Sequence, residues 1–378
     1  MLTTEERDRV RAPLAEAWTL PPQAYTDPAV WAVEVEQVFR RDWVCVARVE
    51  QVGEARAQLP VDVAGQPVVL TNPTGGADGI RALANVCLHR AMPLVAEPAS
   101  GRHLTCPYHL WSYDLGGRLR TAPLMEGCVG FDVDDQQLPE IPVEVWEGFV
   151  FVCLAPEPEP LAPQLEPLRR LLADHAMGDL VIGGTIEFDS PWNWKLLVEN
   201  FMEAYHHIGP HRRTFQPIYP AAQSSVPDNE GGPWSLLRMP GVRGDVDGDG
   251  REGLPFLPGL RGRQRDELLA ACVFPTMLVA PSSTLTVWYE LRPSAHDEML
   301  LRIHLLLPPE TLARPEIEAA VPAIMDDIAG VHHEDIAVNE GPWRGLQAPL
   351  TGQGRLSPLE RSIHQLNQLW LDRVDPGR

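Results

Sequence analysis

Two cysteine–histidine pairs carry the first recognisable chemistry in the sequence: Cys87-Leu-His89 and Cys106-Pro-Tyr-His109. Two thiolates and two imidazoles suffice to hold a metal centre, and structural zinc is one option. A zinc finger, however, keeps its Cys pair apart from its His pair, whereas each pair here mixes the two residue types. Mixed pairs fit a [2Fe–2S] centre with two Cys on one iron and two His on the other. A second set lies downstream. Glu203 and His206 are three residues apart, a spacing that would place both on one face of a helix. Gly209-Pro210 should end that helix and let His211 fold back. A third ligand must come from elsewhere, and the candidate is Asp335 in Val331-His-His-Glu-Asp335, with Asp326, Asp327 and Glu334 as nearby rivals. Two His and one carboxylate on one face of a non-heme Fe(II) leave positions open for O2.

These side chains need a scaffold, and the composition allows a large one. The chain has 378 residues, 44% hydrophobic and 22% charged, the mix of a folded protein with a real core. Lys and Arg number 31 against 52 Asp and Glu, a net charge of −21. An acidic surface repels nucleic acid and anionic membrane, so neither is expected as a partner. No run approaches the roughly 20 apolar residues of a membrane span. The start, Met-Leu-Thr-Thr-Glu-Glu-Arg, lacks a signal peptide's apolar core, so a cytoplasmic protein is expected. Six cysteines are too few for a disulfide scaffold. Cys45, Cys128, Cys153 and Cys272 have no ligand partners and read as structural.

The chain divides by pattern. Residues 1–40 have helical spacing broken by prolines and read as an N-terminal helical arm. Residues 41–155 show short β-branched runs between turn residues, the rhythm of a small all-β domain. Leu154-Ala-Pro-Glu-Pro-Glu-Pro-Leu-Ala-Pro reads as a linker. In the remainder, residues 156–378, helices are predicted over 164–175, 192–207, 315–339 and 358–373. Strands are predicted over 181–188, 271–279, 284–292 and 299–307, and long loops over 223–262. The fold class is therefore α+β. Asp245-Val-Asp247-Gly-Asp249-Gly250 mimics the start of a calcium loop, but position twelve is Phe256 rather than Glu, so it reads as an acidic loop.

Asn85-Val-Cys-Leu-His-Arg-Ala-Met-Pro-Leu and Leu104-Thr-Cys-Pro-Tyr-His-Leu-Trp-Ser-Tyr-Asp-Leu-Gly-Gly-Arg-Leu closely resemble the Rieske domain of the Rieske non-heme iron oxygenases. Asn193-Trp-Lys, followed by Glu199-Asn-Phe-Met-Glu-Ala-Tyr-His and a further His, resembles the catalytic motif of the same family. The resemblance implies a Rieske antiparallel β domain and a helix-grip catalytic domain, a curved antiparallel sheet wrapped round a long helix. It implies that Cys87, His89, Cys106 and His109 hold a [2Fe–2S] cluster. It implies that His206, His211 and Asp335 hold mononuclear Fe(II), with O2 as co-substrate. It also implies a head-to-tail homotrimer in which each cluster feeds the neighbouring subunit's iron through a bridging acid. That acid aligns with Glu203, where most members have Asp. Glutamate here is similar to the carnitine- and betaine-type monooxygenases, and the extra residue that many arene dioxygenases carry before the bridging acid is missing; both features point away from ring dihydroxylation.

The implied function is a terminal oxygenase that monooxygenates or oxidatively demethylates a small organic molecule. Cis-dihydroxylation of an arene is the alternative, and a non-catalytic Rieske electron carrier is the alternative of another class. No Gly-rich dinucleotide motif follows a strand, so electrons should come from a separate NAD(P)H reductase or a ferredoxin. Arg90, Arg102, Arg118 and Arg120 lie near the cluster ligands in sequence and read either as a basic dock for an acidic donor or as scattered surface arginines. Asn200, Met202, Tyr205, Phe215, Tyr219, Phe256 and Trp288 are the expected lining of the substrate pocket. Aromatics there could surround a quaternary ammonium or stack on an arene.

Overall fold

A computed structural model of the chain describes residues 2–244, 246–251 and 253–375. The chain folds as two compact units, Phe39–Leu161 and Met1–Val38 with Ala162–Arg378. The N-terminal segment thus joins the C-terminal unit. Asp245, in the acidic run, lies outside the described residues.

The first unit is built of short strands: β1 (Val44–Arg48), β2 (Ala57–Val63), β3 (Gln66–Thr71), β4 (Arg81–Ala84), β5 (Ala99–Ser100), β6 (His103–Thr105), β7 (Ser112–Asp114), β8 (Leu119–Thr121), β9 (Glu140–Ile141), β10 (Val143–Trp146) and β11 (Phe149–Val152). They form three antiparallel sheets, ordered β5-β2-β3-β4-β9, β1-β11-β10 and β6-β7-β8. Strand β3 is central in its sheet, and its Val68-Val-Leu-Thr71 run is buried throughout, as a strand covered on both faces must be.

The second unit contains helices α1 (Thr4–Arg11), α2 (Gln23–Thr26), α3 (Pro28–Glu34), α4 (Leu161–Leu172, whose first residue belongs to the other unit), α5 (Trp194–Phe201), α6 (Pro309–Leu312), α7 (Pro315–Leu346) and α8 (Arg361–Val374). Its strands are β12 (Val181–Ser190), β13 (Trp234–Pro240), β14 (Gly250–Arg251), β15 (Leu254–Pro255), β16 (Glu267–Val273), β17 (Met277–Pro281), β18 (Thr286–Ala295) and β19 (Glu298–Leu307). Six of them make one antiparallel sheet, ordered β12-β19-β18-β17-β16-β13. Helix α7 packs on β12. Gly184 permits this approach, because a Cβ there would stand 2.9 Å from the Met325 side chain.

Several predicted elements take different bounds. The loop region 223–262 contains strand β13 and the β14–β15 hairpin. The single strand over 271–279 is two strands, β16 and β17, divided at Phe274-Pro275-Thr276, where proline has no N–H to donate. Helix α4 starts at Leu161, inside the proline-rich stretch. Pro163 falls in its first turn, where N–H groups have no helical partner anyway. Most important for the site, the helix over 192–207 ends at Phe201.

Helix α5 is seated by a buried charge pair. Asn193 caps it by accepting the Lys195 backbone N–H at 3.0 Å. Lys195 is buried, with its ammonium 2.5 Å from the Glu34 carboxylate at the end of α3. The indole N–H groups of Trp194 and Trp370 also donate to Glu34, at 3.2 and 2.6 Å. The rings of Tyr25, Trp194 and Trp370 surround the ammonium at 5.0–5.6 Å. The Asn-Trp-Lys motif therefore fixes α5 to the N-terminal segment and to α8. Removing Glu34 leaves a buried ammonium unpaired, a change of about 3–5 kcal/mol. Glu34→Ala should lower the guanidinium midpoint followed by tryptophan fluorescence by that equivalent, and an unchanged midpoint would disprove this role.

Candidate functional site

In the Phe39–Leu161 unit, the two cysteine–histidine segments form loops with one hydrogen-bonding pattern. The Cys87 N–H donates to the Met92 carbonyl at 2.9 Å, and the Ala91 N–H returns to the Cys87 carbonyl at 3.0 Å. The second loop repeats this: Cys106 N–H to Trp111 carbonyl at 2.8 Å, and Leu110 N–H to Cys106 carbonyl at 3.0 Å. Ala91 and Leu110 both have positive φ, 55° and 61°, so each loop turns back at the same point. Both cysteines are buried and both histidines are exposed. The His89 and His109 rings lie 4.6 Å apart, and Trp111 stacks on His89 at 5.0 Å. Tyr113 closes the inner side, its hydroxyl 3.4 Å from the Cys87 sulfur and accepting the Leu88 N–H at 3.1 Å. Paired loops, with thiols inside and imidazoles outside, fit a centre whose two irons differ in ligands.

In the other unit, the end of α5 places the second set. The Ser362 hydroxyl of α8 donates to the Met202 carbonyl, where α5 stops. Glu203 follows in the turn, so its link to His206 is a cap and not a shared helix face. Its carboxylate accepts the His206 backbone N–H at 2.9 Å and lies 2.5 Å from His206 Nδ1. His206 belongs to a short 3-10 turn, Tyr205–Ile208. His211 lies just past Gly209-Pro210, as expected from the sequence, and its ring centroid is 4.9 Å from that of His206. Asp335 of α7 meets both: its Oδ1 is 3.0 Å from His211 Nε2 and 3.7 Å from His206 Nε2. One ligand atom from each of His206, His211 and Asp335 lies within 4.8 Å of the others. Ligands at about 2.1 Å, set at right angles round one ion, stand about 3 Å apart, so these residues fit a mononuclear metal.

The far nitrogens are also occupied. Glu334 lies 2.6 Å from His211 Nδ1 and accepts the Thr214 hydroxyl at 2.7 Å. Glu203 does the same for His206. A carboxylate on the outer nitrogen fixes the tautomer and turns Nε2 towards a metal. Burial works against a charged His211 ring, but the hydrogen bonds and charges of Asp335 and Glu334 outweigh it and raise the pKa. His207 differs. Burial lowers its pKa to about 4, and its Nδ1 lies 3.0 Å from the Tyr219 carbonyl, so the neutral ring donates there and ties down the loop after His211. Asn200 Nδ2 donates to Asp335 Oδ1 at 3.3 Å. Asn339 Nδ2 donates to the Asp335 carbonyl at 2.9 Å.

The three residues open on a cavity of about 380 Å³ between the sheet and α7. Its wall is mainly apolar: Phe201, Phe215, Ile218, Leu268, Tyr289 and Ile328 are typical. Of the pocket residues expected from sequence, Asn200, Phe215 and Tyr219 line it. The other four do not. Met202 is buried at the end of α5, and Tyr205 is exposed. Phe256 packs under the Arg265 guanidinium at 4.7 Å. Trp288 stacks on His304, on the opposite face of β18 from Val287 and Tyr289, which do line the cavity. Strand alternation decides this: neighbours in sequence point to opposite faces. Of the rival acids, Asp326 is exposed, Asp327 lines the cavity, and Glu334 is the partner of His211.

Residues 177–376 match the family of ring-hydroxylating alpha subunits (catalytic domain), more than half of the chain. The chain belongs to that family. Residues 42–142 match the Rieske [2Fe–2S] domain. The carnitine monooxygenase oxygenase subunit of Escherichia coli (strain K12) is 34% identical over 194 residues, 50% of this chain and 51% of that protein. The glycine betaine monooxygenase oxygenase subunit of Chromohalobacter salexigens is 33% identical over 195 residues, 51% of this chain and 43% of that one. The chain thus spans about half the length of the curated relatives it matches. The fold is shared with a solved quaternary ammonium Rieske monooxygenase (TM-score 0.79, 23% identity, 96% of each chain). It is shared too with naphthalene 1,2-dioxygenase from Rhodococcus sp. (TM-score 0.78, 20% identity, 98% of this chain and 99% of that one).

The family implies a Rieske cluster and a mononuclear iron. Glu334, Asn339 and Thr214 escaped sequence reasoning as supports of that site. The available signal was spacing on α7: Asn339 is one turn beyond Asp335. Asp335→Ala should reduce purified protein from about three irons per chain to about two, with the Rieske absorption kept. Glu334→Gln should weaken mononuclear iron binding about 10–100-fold in chelator competition. Full iron occupancy in Asp335→Ala would remove Asp335 from the ligand set.

Proposed function

We propose that this chain is the terminal oxygenase component of a Rieske oxygenase system, monooxygenating or oxidatively demethylating a small organic molecule. The observation that carries the reading is the meeting of His206, His211 and Asp335 at the edge of an apolar 380 Å³ cavity. Bound there, Fe(II) would offer open positions to O2, and a cluster held by Cys87, His89, Cys106 and His109 would supply single electrons. The protein's own part is positional. Glu203 and Glu334 hold protons on the outer nitrogens of His206 and His211. Asn200 steers Asp335. The apolar wall excludes water and presents the substrate. Electrons come from a separate NAD(P)H reductase or ferredoxin, and the assembly is a homotrimer in which Glu203 bridges to the neighbouring subunit's Rieske histidine.

The names of the relatives point to methylated ammonium substrates. Phe201, Phe215, Tyr219 and Tyr289 supply aromatic faces in the cavity that suit such a cation. The same apolar wall also accepts an arene, which keeps cis-dihydroxylation as the second reading.

With a reductase present, a panel of betaines, aryl ethers and simple arenes should reveal substrate-dependent O2 uptake, and labelled O2 should place one oxygen atom in the product. Two labelled atoms would establish the dihydroxylase. No uptake, with iron absent from purified protein, would favour an electron carrier. Separately, Glu203→Gln, with mononuclear iron brought to full occupancy by added Fe(II), should slow single-turnover transfer between the two metal sites at least 100-fold. Unchanged transfer would end the bridging role.

A further inference from the structure

The Phe39–Leu161 unit carries a cationic groove of about 570 Å³, lined by Arg56, Arg81, Arg102 and Arg118. The arginines come from four separate places: the turn before β2, the start of β4, the turn before β6, and the β7–β8 turn. The one acid in the lining, Asp114, is already matched. It takes the Arg120 guanidinium at 2.6 and 2.9 Å and the backbone N–H groups of Gly116 and Arg118. Arg81 pairs with Glu140 at 3.2 Å. Among the described residues, the side chains of Arg56, Arg102 and Arg118 have no ion-pair partner, although the chain carries a net charge of −21. Three uncompensated guanidinium groups converging on one groove of an acidic protein make a local sink for an anionic surface.

The position of the groove suggests its occupant. Arg102 and Asp114 stand at one end of the β6–β7 pair, whose register runs His103–Asp114, Leu104–Tyr113 and Thr105–Ser112. At the other end are Cys106 and Trp111. Three strand steps, about 10 Å, separate Asp114 from Trp111. Tyr113 lies between, and its hydroxyl meets the Cys87 sulfur at 3.4 Å. The groove therefore lies at the end of the β6–β7 pair opposite the loop that carries Cys106 and His109. Of the four arginines singled out in the sequence, Arg102 and Arg118 line the groove, Arg120 holds Asp114, and Arg90 lies over Tyr108 at 5.6 Å on the histidine side.

We propose that this arginine groove is the docking site of an acidic electron-donor protein. The inference rests on the reading of residues 42–142 as an electron-accepting domain, and gives that domain separate entry and exit faces. One electron leaves the donor's reduced centre and one arrives at the acceptor, with no bond made or broken.

The test uses the full chain with its cluster, and a plant-type [2Fe–2S] ferredoxin as acidic probe. Binding of oxidised ferredoxin is measured by titration calorimetry at low salt. Anaerobic cluster reduction by reduced ferredoxin is followed by stopped-flow absorbance over a range of salt. Arg102→Glu/Arg118→Glu should weaken binding and slow reduction at least tenfold at low salt, and flatten the salt dependence. Arg90→Glu, which loses the same kind of charge outside the groove, should change neither by more than about twofold. Reduction by photoreduced deazaflavin, a neutral donor, should be unaltered in every variant, which reports an intact cluster. The proposal is overturned if ferredoxin fails to bind or reduce the unaltered protein, if the double variant behaves like it, or if Arg90→Glu is the damaging change. It is also overturned if the groove saturably binds inorganic pyrophosphate, in an arginine-dependent way, while ferredoxin kinetics stay unchanged. Absence of substrate-dependent O2 uptake would reject the oxygenase reading and leave these results standing.

Discussion

A lysine ammonium cannot be buried without an anion beside it, and that constraint sets where α5 lies. Lys195 and Glu34 form the pair, and two indole N–H groups share the carboxylate. The pair joins the end of α3, the start of α5 and the middle of α8. Everything that leads into the iron-binding candidates hangs from this seat. Asn200 sits on the last turn of α5, Met202 is held by Ser362, and Glu203 and His206 follow in the next turn. A shift of α5 would move His206 away from Asp335, which belongs to a different helix.

The electrostatics of the site favour a cation. Glu203, Glu334 and Asp335 crowd around two imidazoles, and each outer ring nitrogen has its own carboxylate. The same field raises the proton affinity of His211 against the opposing effect of its burial. A divalent metal between the inner nitrogens and Asp335 would satisfy the charge that a proton satisfies only in part. In two neighbouring histidines burial outweighs this field. His207 and His332 are driven by burial to a pKa of about 4, so they remain neutral: His207 donates to the Tyr219 carbonyl, and His332 packs against Phe188.

The Phe39–Leu161 unit separates its polarities in space. The thiols face a core that includes Leu83, Leu104, Tyr113 and Leu119. The imidazoles face outward among exposed Leu88, Met92, Tyr108 and Leu110. The arginines collect at the far end of β6 and β7. An apolar rim suits a partner held by shape, and a cationic groove suits one steered by charge.

Sequence alone nominated the candidate donor sets. Cys87, His89, Cys106 and His109 were legible because their mixed pairing suits few metal centres. His206 and His211 were legible because Gly209-Pro210 must turn the chain between them. Local spacing carries that information, since ligands on one short segment are bound by its covalent geometry. Asp335 could be nominated from sequence but not separated from Asp326, Asp327 and Glu334. Its selection depends on how α7 is rotated against the sheet, which packing at Gly184 and Met325 helps fix. The same limit explains the pocket. Trp288 and Tyr289 are equally aromatic neighbours in sequence, yet only Tyr289 reaches the cavity, because the pleat of β18 sends them to opposite faces. Only the tertiary structure could bring Arg56 and Arg81 beside Arg102 and Arg118, since no local pattern links residues on four separate segments.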